Sequence, residues 1–341
     1  RHVAPRADFL VCAHPFLLCV LLRMLTSLYL LVYLTPSALA FVRGEDHAWV
    51  LAHMRSLSQH HNSHVLAASP IYAMHVRFQT GVVLEAVRPS SLHIARRYHW
   101  RGHLRRGGLG NMVYVWGLPG ISSTFSTMVA RFVFRGRRLG IPWLQPPTTF
   151  LFKDLAQHYA SWEFLETVRC VVLLPWDLQL TLFPELYALG VPLVLPTPEL
   201  VASYGVPVLR SSGALFWAVN SRLAGAIPGP WARDFAAGPW LNFSEASPTA
   251  QRADPEGEAI EPYSQFIYWY RASDFETFGH TFRFASIAEM LLVSAGATRG
   301  RLAAASKAMR REWEAAHERT ACAFARVAGA VLRRPNGTGD R

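Results

Sequence analysis

Short runs of almost wholly apolar residues recur along this chain, with a helix-length segment between most of them. Phe9–Ala13, Leu28–Leu34, Val65–Ala68, Met112–Trp116, Arg169–Leu174 and Val191–Leu195 are such runs. A strand with one wet face alternates apolar and polar residues, whereas a strand apolar throughout needs cover on both faces. The pattern predicts an α/β fold of parallel sheets flanked by helices. The helices between the runs read as Pro15 to about Leu25, Glu45–Gln59, Pro70 to about Phe78, and Leu180–Leu189. In Glu45–Gln59, Trp49, Val50, Met54 and Leu57 fall on one side. Gly190 stands just past the last of these helices, where positive φ is common.

With 341 residues, 51% hydrophobic and 17% charged, the chain exceeds the usual single-domain length and is too apolar for disorder. Two domains are expected. Residues 88–110 lack an apolar period and crowd Arg96, Arg97, Arg101, Arg105 and Arg106 among glycines, so they read as the linker. The first residue is Arg1, which suggests a fragment or a processed form.

Charge is uneven. Residues 1–150 carry 16 basic against 4 acidic side chains, a balance of +12, and the remainder carries 18 against 19, a balance of −1. A basic half attracts anions such as a nucleotide diphosphate, an acidic glycan, nucleic acid or a lipid surface. Only Lys153 and Lys307 are lysines, so a compositional bias toward arginine accounts for the excess equally well. Cys12, Cys19, Cys170 and Cys322 show no C-x-x-C spacing and read as buried free thiols. Sequons at Asn242 and Asn336 permit a Golgi or secretory-pathway address. Met24–Val42 is an uncharged run of 19 residues, near the length that spans a bilayer. Its proline and hydroxyl residues fit a helix end and a buried strand better, with membrane association kept as a second reading.

Two segments suit a ligand. After the Met112–Trp116 run comes Gly117-Leu118-Pro119-Gly120, then Ser122, Ser123 and a helix to about Phe134. Strand, glycine turn and helix start can present backbone N–H groups to phosphate, and the same pattern also serves as ordinary turn and cap chemistry. The second segment, residues 168–200, reads strand, loop (Pro175–Gln179), helix, Gly190 and strand. Its helix start faces the carboxyl ends of the strands, where open α/β sheets bind ligands. Glu185 is lodged there among Phe183, Leu186, Tyr187 and Leu189, without a local basic partner.

The run Phe183-Pro-Glu-Leu-Tyr-Ala-Leu-Gly-Val-Pro-Leu-Val-Leu-Pro196 resembles the donor-binding segment of GT-B glycosyltransferases. The wider pattern is similar to an algal and eukaryotic subgroup of such proteins. It rests on Asp8–Pro15, Tyr268–Phe275, Phe278-Gly279-His280 and a closing helical pair. The resemblance implies two Rossmann-like domains facing a cleft. Residues 1–107 would be the acceptor domain, with an N-terminal piece missing, 108–313 the donor domain, and 314–334 a closing helix. It implies transfer of a sugar from a nucleotide diphosphate to a hydroxyl on a glycan, protein or lipid. The nucleotide-sugar would be a co-substrate, with no metal cofactor and no nucleic-acid partner. Glu185 would hold the donor ribose. The loop and helix start would contribute Trp176, Asp177, Gln179, Leu180 and Thr181, and the glycine turn Gly117, Gly120 and Ser122. Arg271 and His280 would meet the donor phosphate or the acceptor, and Arg271 with Asp274 also suits a structural pair. In an inverting enzyme His14, after the first strand, would be the acceptor base. The basic pair that many GT-B enzymes place before the acidic helix is absent.

Other chemistry finds less support. His60, His61 and His64 sit beyond a helix end and read as a solvated loop. No Asp-x-Asp, G-x-S-x-G or G-x-x-x-x-G-K-[ST] occurs. Phe266, Tyr268, Trp269, Tyr270, Phe275, Phe278, Phe282 and Phe284 read as packed core before a stacking surface. The rival classes are a non-catalytic GT-B-like binding protein and a membrane-associated basic protein.

Overall fold

The computed structural model describes residues 9–13, 16–35, 46–102, 108–117, 119–144, 148–152, 161–175, 180–203, 267 and 270–332. They form α/β structure with two sheets in which every pairing is parallel. The described residues divide into two compact units. One holds those up to Pro89 and from Ala316 on, and the other those from Ser90 to Ala315.

In the first unit the order of elements is β1 (Phe9–Cys12), α1 (Phe16–Leu25), β2 (Tyr29–Leu34), α2 (His47–Gln59), β3 (Ser63–Ala67), α3 (Pro70–Thr80) and β4 (Glu85–Ala86). Its sheet runs β1-β2-β3-β4, with Val11 opposite Leu31, Val32 opposite Val65, and Leu66 opposite Glu85. Each crossover steps the same way, so right-handed connections lay α1, α2 and α3 on one face. Leu30, Val32 and Leu34 enter the core on that face with Phe16, Val20, Val50 and Met54. The ends of α3 follow local chemistry. The Ser69 hydroxyl accepts from the Tyr72 amide at 3.4 Å, Pro70 opens the helix, and Gly81 closes it at φ 75°.

Cys12 and Cys19, expected as free thiols, form a disulfide with Cα atoms 5.6 Å apart. Cys12 ends β1 and Cys19 lies in the first turn of α1, at a separation the bridge spans without backbone movement. Met24–Leu34 divides between the end of α1 and the buried β2. Among the described residues no helix is long and apolar enough to cross a membrane.

The second unit contains α4 (Leu92–Ala95), β5 (Met112–Trp116), α5 (Pro119–Arg138), β6 (Thr149–Phe152), α6 (Trp162–Leu165), β7 (Cys170–Leu173), α7 (Leu182–Leu189), β8 (Leu193–Pro196), α8 (Asp274–Thr277), β9 (Phe282–Phe284), α9 (Ile287–Gly296) and the start of α10 (Arg299–Leu332). The sheet order is β6-β5-β7-β8-β9. The two strands predicted from residues 168–200 pair in parallel, Val171 opposite Leu193 and Val172 opposite Val194. Helix α5 packs with α9, and α7 packs with α4 and α8. The aromatic segment is core, as its density implies. Tyr270, Phe275, Phe278, Phe282 and Phe284 are buried, and Phe183 meets Phe275 edge-on at 5.1 Å. Phe266, Tyr268 and Trp269 lie outside the described residues.

Residues 90–102 differ from a linker. Ile94 and Trp100 are buried. The Trp100 indole donates to the Val168 carbonyl at 2.7 Å, and the Trp100 amide donates to the Leu189 carbonyl at 3.1 Å. Two anchors and backbone pairing hold this stretch, so no apolar period is needed. A side chain at Gly102 would meet the Val168 carbonyl oxygen at 2.2 Å.

The last helix serves both units. In the second, Leu302, Ser306 and Met309 are its buried stripe. In the first, Ala316, Thr320, Ala323 and Val327 are buried at four- and three-residue spacing. Ala323 and Val327, with Phe324 beside them, pack on Leu31, Tyr33, Leu66 and Val87 and so cover the second sheet face. The Thr320 hydroxyl donates to the Arg88 carbonyl at 2.9 Å, and Arg326 pairs with Glu85 at 2.5 Å.

Candidate functional site

Strand β5 has β6 on one side and β7 on the other. The chain therefore leaves β5 in one direction and leaves β7 in the opposite direction, toward β8 and β9. That reversal marks the carboxyl ends of the two strands as the edge where open α/β sheets bind ligands. Trp116 stands opposite Leu173 there, and the Leu174 amide donates to the Trp116 carbonyl at 2.8 Å. Gly117 follows Trp116 directly. Helix α5 then begins at Pro119, earlier than the Ser122 start expected, because proline suits the first helical position. Gly117, Gly120 and Ser122 thus belong to the strand–helix connection and first turn at this edge. The first turn of α5 carries no acidic residue, so its free amides keep their positive potential.

Helix α7 starts from the same edge, at Leu182, two residues later than expected. Leu180 is buried, and Thr181 occupies the cap position without a side-chain cap bond. Glu185 lies in the first turn with 27% of its side chain exposed. Its partner is not local in sequence. His93, on α4, brings Nε2 to 3.5 Å from the Glu185 carboxylate. Burial pushes the Glu185 carboxyl above its ordinary range, and His93 pulls it back. Glu185 is therefore neither sealed in the core nor free of a partner. Sequence reading missed His93 because it lies in the arginine-rich stretch; its flanking Leu92 and Ile94, with Trp100, are the apolar signal that the stretch packs.

The remaining candidates separate. Arg271 reaches Glu199 at 3.4 Å, an exposed pair beyond the carboxyl end of β8. Asp274 is buried in the first turn of α8. His280 precedes β9 and therefore sits at the amino edge of the sheet. It adopts φ 61°, and its Nε2 is 3.9 Å from the Glu312 carboxylate. The same carboxylate accepts from the Gly279 amide at 3.1 Å and the Tyr187 hydroxyl at 2.5 Å. The fold brings Gly117, Gly120, Ser122, Leu180, Thr181 and Glu185 to the carboxyl edge and puts His280 at the other. His14, Trp176, Asp177 and Gln179 lie outside the described residues.

Among the described residues no group of three His, Cys, Asp or Glu side chains could hold a metal ion. His60 and His61 stack on one another at 4.6 Å beside an open depression lined by Arg55 and Gln59. None of the candidate site residues lines that depression. No protein-family model, no curated protein and no solved structure matches the chain.

Proposed function

We propose that this chain is a nucleotide-sugar-dependent glycosyltransferase of the GT-B kind. The observation that carries the reading is the shared carboxyl edge of β5 and β7. It joins an acid-free helix start after Gly117 to the half-buried Glu185. Glu185 accepts hydrogen bonds from the donor ribose. The start of α5 and the Leu180–Thr181 end of α7 face the diphosphate. The acceptor hydroxyl attacks the anomeric carbon and gives up its proton to a general base, while the bond to the diphosphate breaks. The leaving group's charge falls on backbone N–H groups already oriented toward it. The Cys12–Cys19 bridge fits an oxidising compartment such as the secretory pathway.

The second reading is a GT-B-like protein that binds nucleotide without turnover, and the absence of a basic pair before the acidic helix favours it. Hydrolysis of UDP- and GDP-sugars distinguishes the two: release of free sugar supports the enzyme, and binding without release supports the rival. Glu185→Ala tests the shared premise. Loss of a charged hydrogen bond costs roughly 1.5–3 kcal/mol, a ten- to hundredfold weaker nucleotide affinity. An unchanged affinity in a variant that melts normally removes the assignment of Glu185.

A further inference from the structure

Helix α5 has two unlike faces. Phe125, Val129 and Gly136 are buried beneath it. On the outside, Met128 is 46%, Phe132 49% and Phe134 65% exposed, and Leu139, just past the helix end, 71%. Met128, Arg131, Phe132 and Arg135 follow at i, i+3, i+4 and i+7, which is one continuous strip. Arg138 lays its guanidinium over the Phe134 ring at 5.9 Å. The helix contains no Asp or Glu. Among the described residues Arg131, Arg135 and Arg138 form no ion pair, while Arg137 donates to the Leu144 and Thr148 carbonyls.

A helix face turned to water normally mixes both signs of charge. Large apolar side chains flanked by arginines alone suit a phase boundary instead. There the apolar groups enter the acyl region, and the guanidinium groups meet phosphate. We infer that the outer face of α5 docks the protein on the surface of an anionic lipid bilayer. Nucleic acid would engage the arginines but leave Met128 and Leu139 in water. A second copy related by two-fold symmetry would set arginines against arginines. The inference stands on α5 alone and does not depend on the glycosyltransferase reading.

The test is co-sedimentation of the full chain with vesicles of phosphatidylcholine, with and without phosphatidylserine. The protein is expected to bind only the anionic vesicles. Each arginine near such a surface contributes about fivefold, so the triple variant Arg131→Gln, Arg135→Gln, Arg138→Gln should bind roughly 100-fold more weakly. Phe132→Ser with Phe134→Ser should weaken binding about tenfold or more. These side chains are exposed, and unchanged melting temperatures would confirm that both variants fold. Variants that bind as the parent does overturn the inference, as does equal binding to both vesicle types. So does α5-dependent self-association, or binding to single-stranded RNA, without vesicle binding.

Discussion

The Tyr187 hydroxyl donates to the Glu312 carboxylate at 2.5 Å, tying α7 to the second-unit part of α10. Burial, then this hydrogen bond, raises the Tyr187 phenol far above its ordinary value of 10.0. The unfolded chain releases this proton near pH 10 while the folded chain retains it. The stability it contributes is present below pH 10 and is lost as pH rises beyond it. Tyr187→Phe should cost about 1.5–3 kcal/mol at neutral pH and leave a shallower alkaline limb. Urea unfolding at several pH values measures both, and an unchanged alkaline slope would contradict the assignment.

His75 sets an acid limb in the first unit. Full burial holds its imidazole down to about 3, against 6.5 when free. Acid protonates the unfolded chain first, so the contribution is present above pH 6.5. It is lost at about 1.4 kcal/mol per pH unit as pH falls toward 3. His75→Leu should flatten that limb by one proton, read as the difference in pH slope between variant and parent. Equal slopes would show that other groups govern acid unfolding.

The Cys12–Cys19 bridge closes a loop seven residues apart in sequence. Constraining so short a loop contributes about 2–3 kcal/mol. Dithiothreitol should lower the melting temperature of the first unit and leave that of the second in place, because Cys170 there is a free thiol. Cys12→Ala with Cys19→Ala should melt at the lowered temperature and no longer respond to reductant.

His93 restrains the Glu185 carboxyl, which burial alone would push higher. In His93→Ala the Glu185 titration should move up, observable by carbon-13 NMR of the side-chain carboxyl. If ionised Glu185 holds the donor ribose, the pH midpoint of nucleotide affinity should move up with it. A titration unaffected by the substitution would show that the 3.5 Å contact carries no electrostatic weight.

The parts legible in the sequence are those fixed by local pattern. β2, β5, β7 and β8 are apolar throughout because each has a neighbour on both sides and cover above and below. Gly190 was legible as a helix end. It adopts φ 74°, and an added Cβ would meet Arg310 Cγ at 2.8 Å, so glycine is needed there twice over. The edge strand β1 was legible as an apolar run, but the edge strands β6 and β9 were not. β6 has a neighbour on one side only, and β9 is three residues long with Arg283 at its centre. Arg283 belongs in that strand because its guanidinium pairs with Glu276 at 2.6 Å, a partner supplied by α8. At the candidate site the helix start and Glu185 follow from strand–helix spacing. The His93 contact is non-local, since its two residues are brought together only when α4 packs on α7.

The division of α10 has a consequence for the order of synthesis. β1 to β4 leave the ribosome before the second unit, yet the side chains that cover their second face, Ala323 and Val327, arrive more than two hundred residues later. Leu31, Leu66 and Val87 wait for Ala323 and Val327 while the whole described part of the second unit is made. The first unit is therefore started before the second and completed after it, and in the interval its apolar sheet face is a ready substrate for a chaperone.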